Sequence, residues 1–587
     1  MSLDFDSTDS VRTGRPLPYV QTTVFPSPLE LRLGGVLPGF EVAYETYGTL
    51  NADRSNAILI CHAISGDSHV ARHGPDDDPG WWDTLVGPGR PVDTDQFFVI
   101  CSNVLGGCRG TTGPSTVNPA TGAPYGPDFP LVTVEDMVDV QARLVDVLGI
   151  KRLRGVIGGS LGGHQALCWA TRYPDRVETS VVLASSSRLT AQALAFDVVG
   201  RNAIQTDPRF HDGQYYSTGQ FPHMGLALAR MLGHITYLSS ESMTKRFDVN
   251  RHEPRDIATE FEKRFSVGSY LAYQGDQFVG RFDANSYVTI TLAMDHFDMG
   301  STLEERKRAL ASASCNWLVV SFSSDWLFPP FQSRDLVAAM TSLDQPVSYC
   351  EIQTDGGHDG FLLPGDIEGY GPLLRAKLGD RTPSKPETRV ADDRILELIP
   401  PRSSVLDLGC GQGDLLGRLR ERGDARLVGV DVSTPLIAAT IQHGVDAIDC
   451  DLNLGLPEFH DGTFDYVVIS STLQVVPNVE KLLSDSLRVG KRAILSFANF
   501  GYESLRNMFS EEGRVPKGPG PYAFEWYDTP NRRFPSIRDV LELCEKIGAV
   551  VEDARYYDDQ KEIRIDEDDD PNLKADNAVV ILGKKSG

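Results

Sequence analysis

The stretch Leu153-Arg154-Gly155-Val156-Ile157-Gly158-Gly159-Ser160-Leu161-Gly162-Gly163 decides the fold of the first part of the chain. Its apolar half is typical of a buried strand, and residues 165–172 have the pattern of a helix. The glycines permit a strained turn and a close approach of strand and helix. A serine in G-x-S-x-G on such a turn is a nucleophile with its side chain exposed. The sequence therefore predicts a nucleophilic Ser160 and an oxyanion-binding backbone N–H at Leu161.

Further apolar runs on both sides of this motif predict an α/β fold, a mostly parallel sheet covered by helices on both faces. Strands are predicted at residues 57–61, 97–101, 179–183 and 317–321, and a helix at 137–148. Between residues 185 and 308 the sheet pattern stops, and helices such as 224–231 replace it. A long insertion between strands is the usual place for a lid.

A serine becomes a nucleophile when a base, itself held by a carboxylate, accepts its proton. In this type of fold the acid comes next in the chain and the histidine last. Asp325 follows the strand at 317–321, and His358 follows a short strand at 347–352 in a glycine-rich loop. We predict that Ser160, Asp325 and His358 form a catalytic triad. His62 is expected to shape the loop that supplies a second oxyanion amide, from Ile64.

The length of the chain predicts more than one domain. Single cores stop growing at roughly 250–300 residues, and this chain has 587. A polar segment with two prolines at residues 379–388 is typical of a linker. Strand and turn patterns restart at residues 404–409. We therefore predict one domain at 1–378, with its lid at about 185–308, and a second at 389–587.

Composition restricts the partners and the compartment. Lys and Arg number 56 against 81 Asp and Glu, and the net charge of −25 argues against nucleic acid. Nine cysteines, an odd number without a Cys-x-x-Cys pair, favour reduced thiols in the cytoplasm. No signal peptide, transmembrane helix or other membrane partner is expected. No group of His, Cys, Asp and Glu has metal-ligand spacing, so no metal is predicted.

Residues 30–375 resemble homoserine O-acetyltransferases of the α/β-hydrolase superfamily. The resemblance is carried by specific motifs, namely His62-Ala63-Ile64-Ser65-Gly66-Asp67-Ser68-His69, Gly80-Trp81-Trp82-Asp83, Ser102-Asn103-Val104-Leu105-Gly106-Gly107-Cys108, Gly158 to Leu167, Arg281-Phe282-Asp283-Ala284-Asn285-Ser286-Tyr287 and Gly357-His358-Asp359-Gly360-Phe361-Leu362. Leu161 stands where many relatives have Met, but only its backbone amide is needed.

This resemblance implies ping-pong transfer of an acyl group from acyl-CoA to the hydroxyl of L-homoserine, in methionine biosynthesis. Ser160 would carry the acyl group between the two substrates, and the transfer would need no cofactor. The resemblance also implies that Arg230 pairs with the homoserine carboxylate and Asp359 with its ammonium. A homodimer is expected, because relatives pair through the lid.

One position of the sequence indicates the identity of the acyl donor. Succinyl-using relatives tend to carry Arg two residues after the triad acid, where this sequence has Leu327. A buried succinyl carboxylate without a partner is costly, so acetyl-CoA is the expected donor. The alternatives are succinyl-CoA, or a serine esterase in which water is the acceptor.

The second domain opens with Val405-Leu406-Asp407-Leu408-Gly409-Cys410-Gly411-Gln412-Gly413, a strand that ends in a glycine-rich turn. An acid at the end of the next strand, Asp431, suits a ribose diol, and Asp451 follows a third strand. With Asp407 in register, this pattern resembles a Rossmann-like class I methyltransferase fold. Asp407, Gly409, Gly411, Asp431 and Asp451 are the candidate residues for S-adenosylmethionine.

Residues 388–560 more closely resemble the MetW family. The matching stretches are Ser471-Thr472-Leu473-Gln474, Ser496-Phe497-Ala498-Asn499-Phe500-Gly501 and Glu525-Trp526-Tyr527-Asp528-Thr529-Pro530-Asn531. The family usually has Pro where Ala498 stands. Two roles follow: a domain that supports or regulates the acyltransferase, which we favour because fusion keeps it at high effective concentration, or an active methyltransferase. A fold alone does not establish a reaction.

Overall fold

The computed structural model describes residues 17–248, 265–379, 389–518 and 520–585. The chain forms two compact units that meet along the sequence at Leu378 and Gly379, with Ser348–Cys350 grouped with the second unit. Of the segment predicted to be a linker, all but Gly379 lies outside the described residues. The two units are described one at a time.

The strands of the first unit form one large sheet, in the order β1-β4-β8-β5-β9-β10-β11-β12, and two short ribbons, β2-β3 and β6-β7. The pairs from β8 through β5, β9 and β10 to β11 are parallel, whereas β1, β4 and β8 are antiparallel neighbours. The bounds are β1 Gln21–Phe25, β2 Leu29–Glu30, β3 Val36–Leu37, β4 Phe40–Tyr47, β5 Ala57–Cys61, β6 Val86–Gly87, β7 Val92–Asp93, β8 Phe98–Ser102, β9 Gly155–Gly159, β10 Thr179–Leu183, β11 Asn316–Phe322 and β12 Val347–Ile352.

The central strands are buried along their whole length, as expected where helices cover both faces of a parallel sheet. The helices of this unit are α1 Val134–Val147, α2 Leu161–Arg172, α3 Ala191–Gln205, α4 His223–Tyr237, α5 Ser240–Phe247, α6 Ser266–Val279, α7 Ala284–Asp295, α8 Leu303–Leu310, α9 Pro330–Ser342 and α10 Pro364–Leu378. Helix α1 begins three residues before its predicted start, because Thr133 and Asp136 form a capping box there.

The insertion between β10 and β11 is helical, as the sequence predicts. It contributes α3 to α8, and its residues 249–264 lie outside the described part of the chain. Helices α3, α4 and α6 pack on one another around Ile204, Leu226, Ala229 and Phe278. The prediction of an α/β-hydrolase fold with a helical lid is confirmed.

The second unit has a sheet in the order β15-β14-β13-β16-β17-β20-β18-β19. Its first five strands are parallel neighbours, and β20, β18 and β19 extend it antiparallel. The strands are β13 Ser404–Leu408, β14 Arg426–Asp431, β15 Asp446–Asp449, β16 Phe464–Ser470, β17 Gly490–Ala498, β18 Ala549–Asp558, β19 Ile563–Ile565 and β20 Asn577–Lys584. The helices are α11 Val390–Leu398, α12 Asp414–Arg422, α13 Thr434–Gln442, α14 Val479–Val489, α15 Glu503–Glu512, α16 Ile537–Lys546 and α17 Pro571–Lys574. This is the Rossmann-like fold predicted for the second domain.

Two features that bear on the sequence predictions are directly visible. None of the helices in the described residues has the length and apolar character that crossing a membrane requires. All nine cysteines lie in the described residues, and none of them forms a disulfide.

Candidate active site

Ser160 occupies the sharp turn between β9 and α2. Its φ of 57° and ψ of −123° lie where residues with a side chain are rarely found, so the turn stores strain of the kind associated with functional sites. Its N–H donates to the Leu183 carbonyl at 3.0 Å, which ties the turn to the neighbouring strand. The N–H of Leu161, the first in α2, has no carbonyl partner within the helix.

The glycines around Ser160 are required by close backbone contacts. A Cβ on Gly158 would lie 2.0 Å from the Gly162 carbonyl oxygen, and one on Gly162 would lie 2.1 Å from the Cys61 carbonyl oxygen. Real Cβ contacts are never this short. The sequence inference that these glycines allow strand and helix to approach is therefore correct in physical detail.

Asp325 and His358 are brought together at the ends of β11 and β12. His358 Nδ1 lies 2.8 Å from Asp325 Oδ2, and both residues are 3% exposed. The other carboxylate oxygen, Oδ1, accepts the N–H groups of Leu327 at 3.0 Å and Phe328 at 2.8 Å. These bonds fix the carboxylate, which in turn directs the Nδ1 proton of the imidazole and leaves Nε2 as the basic nitrogen.

The environment of His358 favours its protonated form. Burial opposes the charge, but the charge of Asp325 and the hydrogen bond to it outweigh burial, with a further contribution from Asp359, and the pKa of His358 is raised. This is the electrostatic arrangement of a histidine that must become an imidazolium during a reaction.

His164, one turn into α2, is a neighbour that the sequence analysis did not select. Its ring stacks on Phe297 with 4.4 Å between centroids, and Phe328 lies between it and His358. Burial, with the charge of His358, lowers the pKa of His164 to about 3, so this imidazole stays neutral. Its signal in the sequence was the i+4 spacing from Ser160, which places it on the buried face of α2.

The loop after β5 is held by His62, as predicted. The Val104 N–H donates to His62 Nε2 at 3.0 Å, so Nδ1 carries the proton and donates to the Ala63 carbonyl at 2.8 Å. The ring is 1% exposed. Ile64 follows in the same turn and lines a cavity together with Ser160.

The cavity at Ser160 has a volume of about 40 Å³. Residues of the lid contribute most of its lining, and Ser160 is 5% exposed and not open to solvent as its motif predicts. Asp197 is the one carboxylate among the described lining residues; burial and then the charge of Asp295 raise its pKa. The described lining residues are Ile64, Ser160, Leu189, Ala193, Phe196, Asp197, Ala229, Leu232, Gly233, Thr236, Tyr237, Tyr287, Met294, Leu327 and Phe328.

Arg230 and Asp359 are not among these described lining residues. The Arg230 guanidinium is 4.8 Å from the Phe278 ring centroid and 5.7 Å from that of Tyr237, and the residue is 6% exposed. Asp359 is partly buried beside His358. Their assignment to the carboxylate and ammonium of homoserine stays a prediction.

A cluster of Glu45, His69 and His73 was not visible in the sequence, because β4 and the loop after β5 contribute to it separately. The ligand atoms lie within 4.8 Å of one another, close enough to hold a metal ion. Glu45 Oε2 lies 2.9 Å from His69 Nδ1 and from His73 Nε2, and it accepts from the Tyr47 hydroxyl at 3.0 Å. These hydrogen bonds account for the cluster without an ion.

In the second unit, the glycine-rich turn after β13 adopts the backbone that a nucleotide site needs. Gly409 and Gly411 have φ of 78° and 58°, and a Cβ on Gly411 would meet no atom within 4 Å. The Gly411 N–H donates to Asp431 Oδ2 at 3.1 Å, so Asp431 already faces the turn. The turn and this acid fit a nucleoside ligand.

The other two acids of this edge differ in environment. Asp407 is 3% exposed, and burial, with the charges of Asp392 and Asp431, raises its pKa to about 8. Asp451 is exposed and accepts from the N–H and side-chain amide of Asn453. Asp407 is therefore a buried acid with a raised pKa, whereas Asp451 is open to solvent.

Comparison with known proteins agrees with both units. Residues 56–364 match the family model described as alpha/beta hydrolase fold, and residues 389–582 match Methionine biosynthesis protein MetW. A "Homoserine O-succinyltransferase" of Aromatoleum aromaticum is 54% identical over 362 residues, which cover 61% of this chain and 95% of that protein. Other relatives at 50–54% identity are named succinyltransferases, and one is named "Homoserine O-acetyltransferase".

Among solved structures, the homoserine O-acetyltransferase from Bacillus anthracis is similar, with a TM-score of 0.56, 28% identity, and coverage of 61% of this chain and 98% of that one. The "Bifunctional methionine biosynthesis protein MetXA/MetW" of Rhodopirellula baltica is 53% identical over 598 residues, which cover 99% of this chain and 96% of that protein. The chain belongs to the family of bifunctional MetXA/MetW methionine biosynthesis proteins.

Proposed function

We propose that the first unit is a homoserine O-acyltransferase of methionine biosynthesis that uses acetyl-CoA. The observation that carries this proposal is the 2.8 Å contact of His358 with Asp325, in a unit whose Ser160 lies on a strained turn at a strand end of the same sheet. The names of relatives that are 51–54% identical over about 60% of this chain support homoserine as the acceptor.

The chemistry follows from the atoms at the site. His358 Nε2 takes the Ser160 proton as the hydroxyl attacks the thioester carbonyl of the donor. The N–H groups of Leu161 and Ile64 hold the resulting oxyanion. The intermediate collapses to an acyl-Ser160 ester, and CoA leaves with the proton from His358. The homoserine hydroxyl then gives its proton to His358 and takes the acyl group, which restores Ser160.

The cavity supports acetyl as the transferred group. About 40 Å³ offers room for roughly three water-sized groups, because each needs about 10–15 Å³ on this measure. The described lining residues include no Lys, Arg or His, and Leu327 is apolar. A succinyl carboxylate there would be larger and would lack a cationic partner. The succinyltransferase names of several relatives favour the other donor, so a direct test is needed.

The donor test is a mass measurement of the acyl-enzyme. Incubation with acetyl-CoA is expected to add an acetyl group to wild-type protein and none to Ser160→Ala. Incubation with succinyl-CoA is expected to give at least tenfold less acyl-enzyme than incubation with acetyl-CoA. Leu327→Arg is expected to shift the preference toward succinyl-CoA. Faster acylation of the wild-type protein by succinyl-CoA would refute the acetyl assignment, while labelling of Ser160→Ala would refute the mechanism.

The esterase alternative differs in the fate of the acyl-enzyme. The burial of Ser160, which is 5% exposed, supports transfer, since limited access of water protects the ester until homoserine arrives. Release of acetate at the same rate with and without homoserine would identify an esterase.

For the second unit we propose a supporting or regulatory role. A match to the Aromatoleum aromaticum relative covers 95% of that protein but only 61% of this chain, which indicates that the first unit can occur alone. The glycine-rich turn and Asp431 would hold S-adenosylmethionine, whose sulfonium methyl is a transferable group; Asp451 would lie at the same edge. Acyltransferase rates of residues 1–379 equal to those of the full chain would exclude support of catalysis, and calorimetry with S-adenosylmethionine tests the cofactor.

A further inference from the structure

The second unit contains a cavity of about 360 Å³ at the end of β17. Its apolar wall is formed by Ala498, Tyr502, Leu505 and Tyr522, which also form one hydrophobic cluster. The opposite wall is polar and comes from the end of β18 and the start of β20. None of the residues selected for S-adenosylmethionine is among its described lining residues, so this is a separate cavity.

Two tyrosines, Tyr502 and Tyr522, line the cavity. The Tyr522 hydroxyl donates to the Ala498 carbonyl at 2.9 Å, and the Tyr502 hydroxyl donates to Asp558 at 3.2 Å. Since both hydroxyls are used within the protein, the ring faces are what these residues offer to a ligand. Aromatic faces attract cations as well as apolar groups.

Three carboxylates meet beside this wall, and two of them have cationic partners. Asp558 pairs with Lys561 at 2.6 Å. Asp559 pairs with Arg394, and its second oxygen accepts from the Asn577 side chain at 2.7 Å. These charges are therefore balanced within the unit.

The third carboxylate, Asp576, has no cationic partner among the described residues. Its Oδ1 accepts the Asp559 N–H at 2.9 Å and the Asn577 side-chain amide at 3.0 Å, while Oδ2 has no partner there. The residue lines the cavity and is 9% exposed. A buried carboxylate without a counter-charge is unfavourable unless it is protonated or a ligand supplies the charge.

We propose that this cavity binds a small organic ammonium ion, with the charged nitrogen on Asp576 Oδ2 and the apolar body against the rings of Tyr502 and Tyr522. Carboxylate and aromatic faces together select a cation with an apolar body. An anionic ligand would meet Asp576 and its two acidic neighbours. The site belongs to the second unit and does not depend on the reaction proposed for the first.

The state of Asp576 without ligand gives a second, independent readout. Burial raises its pKa, the Asp559 N–H acts in the opposite direction, and the charges of Asp559 and Asp558 raise it further. Of the cations on the neighbouring elements, Lys561, Arg394 and Lys574 are each paired with another acid, and Arg506 donates to the carbonyls of Gly501 and Asn572. A bound ammonium requires the ionised carboxylate, so affinity should increase as the pH rises through this raised pKa.

The test is calorimetry on the full chain with phenethylamine, compared with two probes of similar shape, 2-phenylethanol and 3-phenylpropanoate. We expect phenethylamine to bind at least tenfold more tightly than the alcohol, and the carboxylate not to bind. Asp576→Asn keeps the Oδ1 acceptor for both existing hydrogen bonds but removes the charge. The Asp576→Asn substitution should weaken the binding of phenethylamine at least tenfold. Asp568→Asn makes an equal charge change at an exposed position and should leave the affinity unchanged.

Each result decides the proposal. Affinity that rises with pH in the wild-type protein and is flat in Asp576→Asn supports it, and this comparison is valid if the variant melts at the wild-type temperature. If that variant unfolds, the pH profile and the three probes on wild-type protein decide alone. No binding of phenethylamine at millimolar concentration, equal binding of the alcohol, or an unchanged affinity in a folded Asp576→Asn protein would overturn the proposal.

Discussion

Replacement of Asp325 by Asn is the sharpest test of the proposed triad, because it changes one atom of a well-defined contact. In the native protein Asp325 Oδ2 accepts the Nδ1 proton of His358 at 2.8 Å. An Asn that keeps its Oδ1 as the acceptor for the N–H groups of Leu327 and Phe328 must direct its amide group at Nδ1. The imidazole then carries its proton on Nε2 and can no longer accept one from Ser160.

The expected loss combines the wrong tautomer with the lost charge. Comparable changes in serine triads reduce kcat by about 10⁴-fold. We expect a loss of about 10³–10⁴-fold, which corresponds to about 4–5.5 kcal/mol in the activation free energy. The melting temperature should change little, since both backbone amides keep their acceptor.

The assay is release of CoA thiol from acetyl-CoA in the presence of homoserine, with the acyl-enzyme followed by mass spectrometry. Asp355→Asn is the matched control, because Asp355 is an exposed carboxylate three residues from His358. A folded Asp325→Asn protein with more than a tenth of the wild-type rate would refute the assignment of Asp325. An equal loss in the control would show that the effect is a general change of charge.

Three further predictions follow from the structure. The pKa of His358 is raised above 6.5, and the base must be neutral, so kcat/KM should fall about tenfold per pH unit below that raised pKa. A kcat/KM that stays unchanged down to pH 6 would contradict this. Gly162→Ala places a Cβ 2.1 Å from a backbone oxygen, so it should abolish activity and lower the free energy of unfolding, measured with urea, by about 3 kcal/mol. In the control Gly74→Ala the new Cβ meets no atom within 4 Å, and stability should not change. Asp407 has a pKa raised to about 8 in the folded state, so the folded form holds more protons and its stability should decrease between about pH 4 and 8. Asp407→Asn should flatten this decrease, measured as melting temperature against pH. An unchanged slope of melting temperature against pH would show that Asp407 is ionised.

Local patterns determined the elements that carry the proposed chemistry. The turn at Ser160 requires its glycines, because a Cβ on Gly158 or Gly162 would lie only 2.0–2.1 Å from a backbone carbonyl oxygen. The order of acid and histidine along the chain was enough to select Asp325 and His358, since both follow predicted strands of one parallel sheet. The turn of the second unit was predicted on the same basis.

Other features depended on residues far apart in the sequence, and only the tertiary structure decided them. Ser160 is buried and lid residues line the cavity beside it, which strand and helix patterns could not indicate because they carry no distances between elements. The Glu45–His69–His73 cluster and the cavity at Asp576 each combine side chains from separate strands and loops. Hydrogen-bond partners and burial set the protonation of His358, Asp407 and Asp576, and these are properties of the packed environment. The sequence alone determined which groups are present and in which local geometry, whereas the packing of distant segments decided which of them meet.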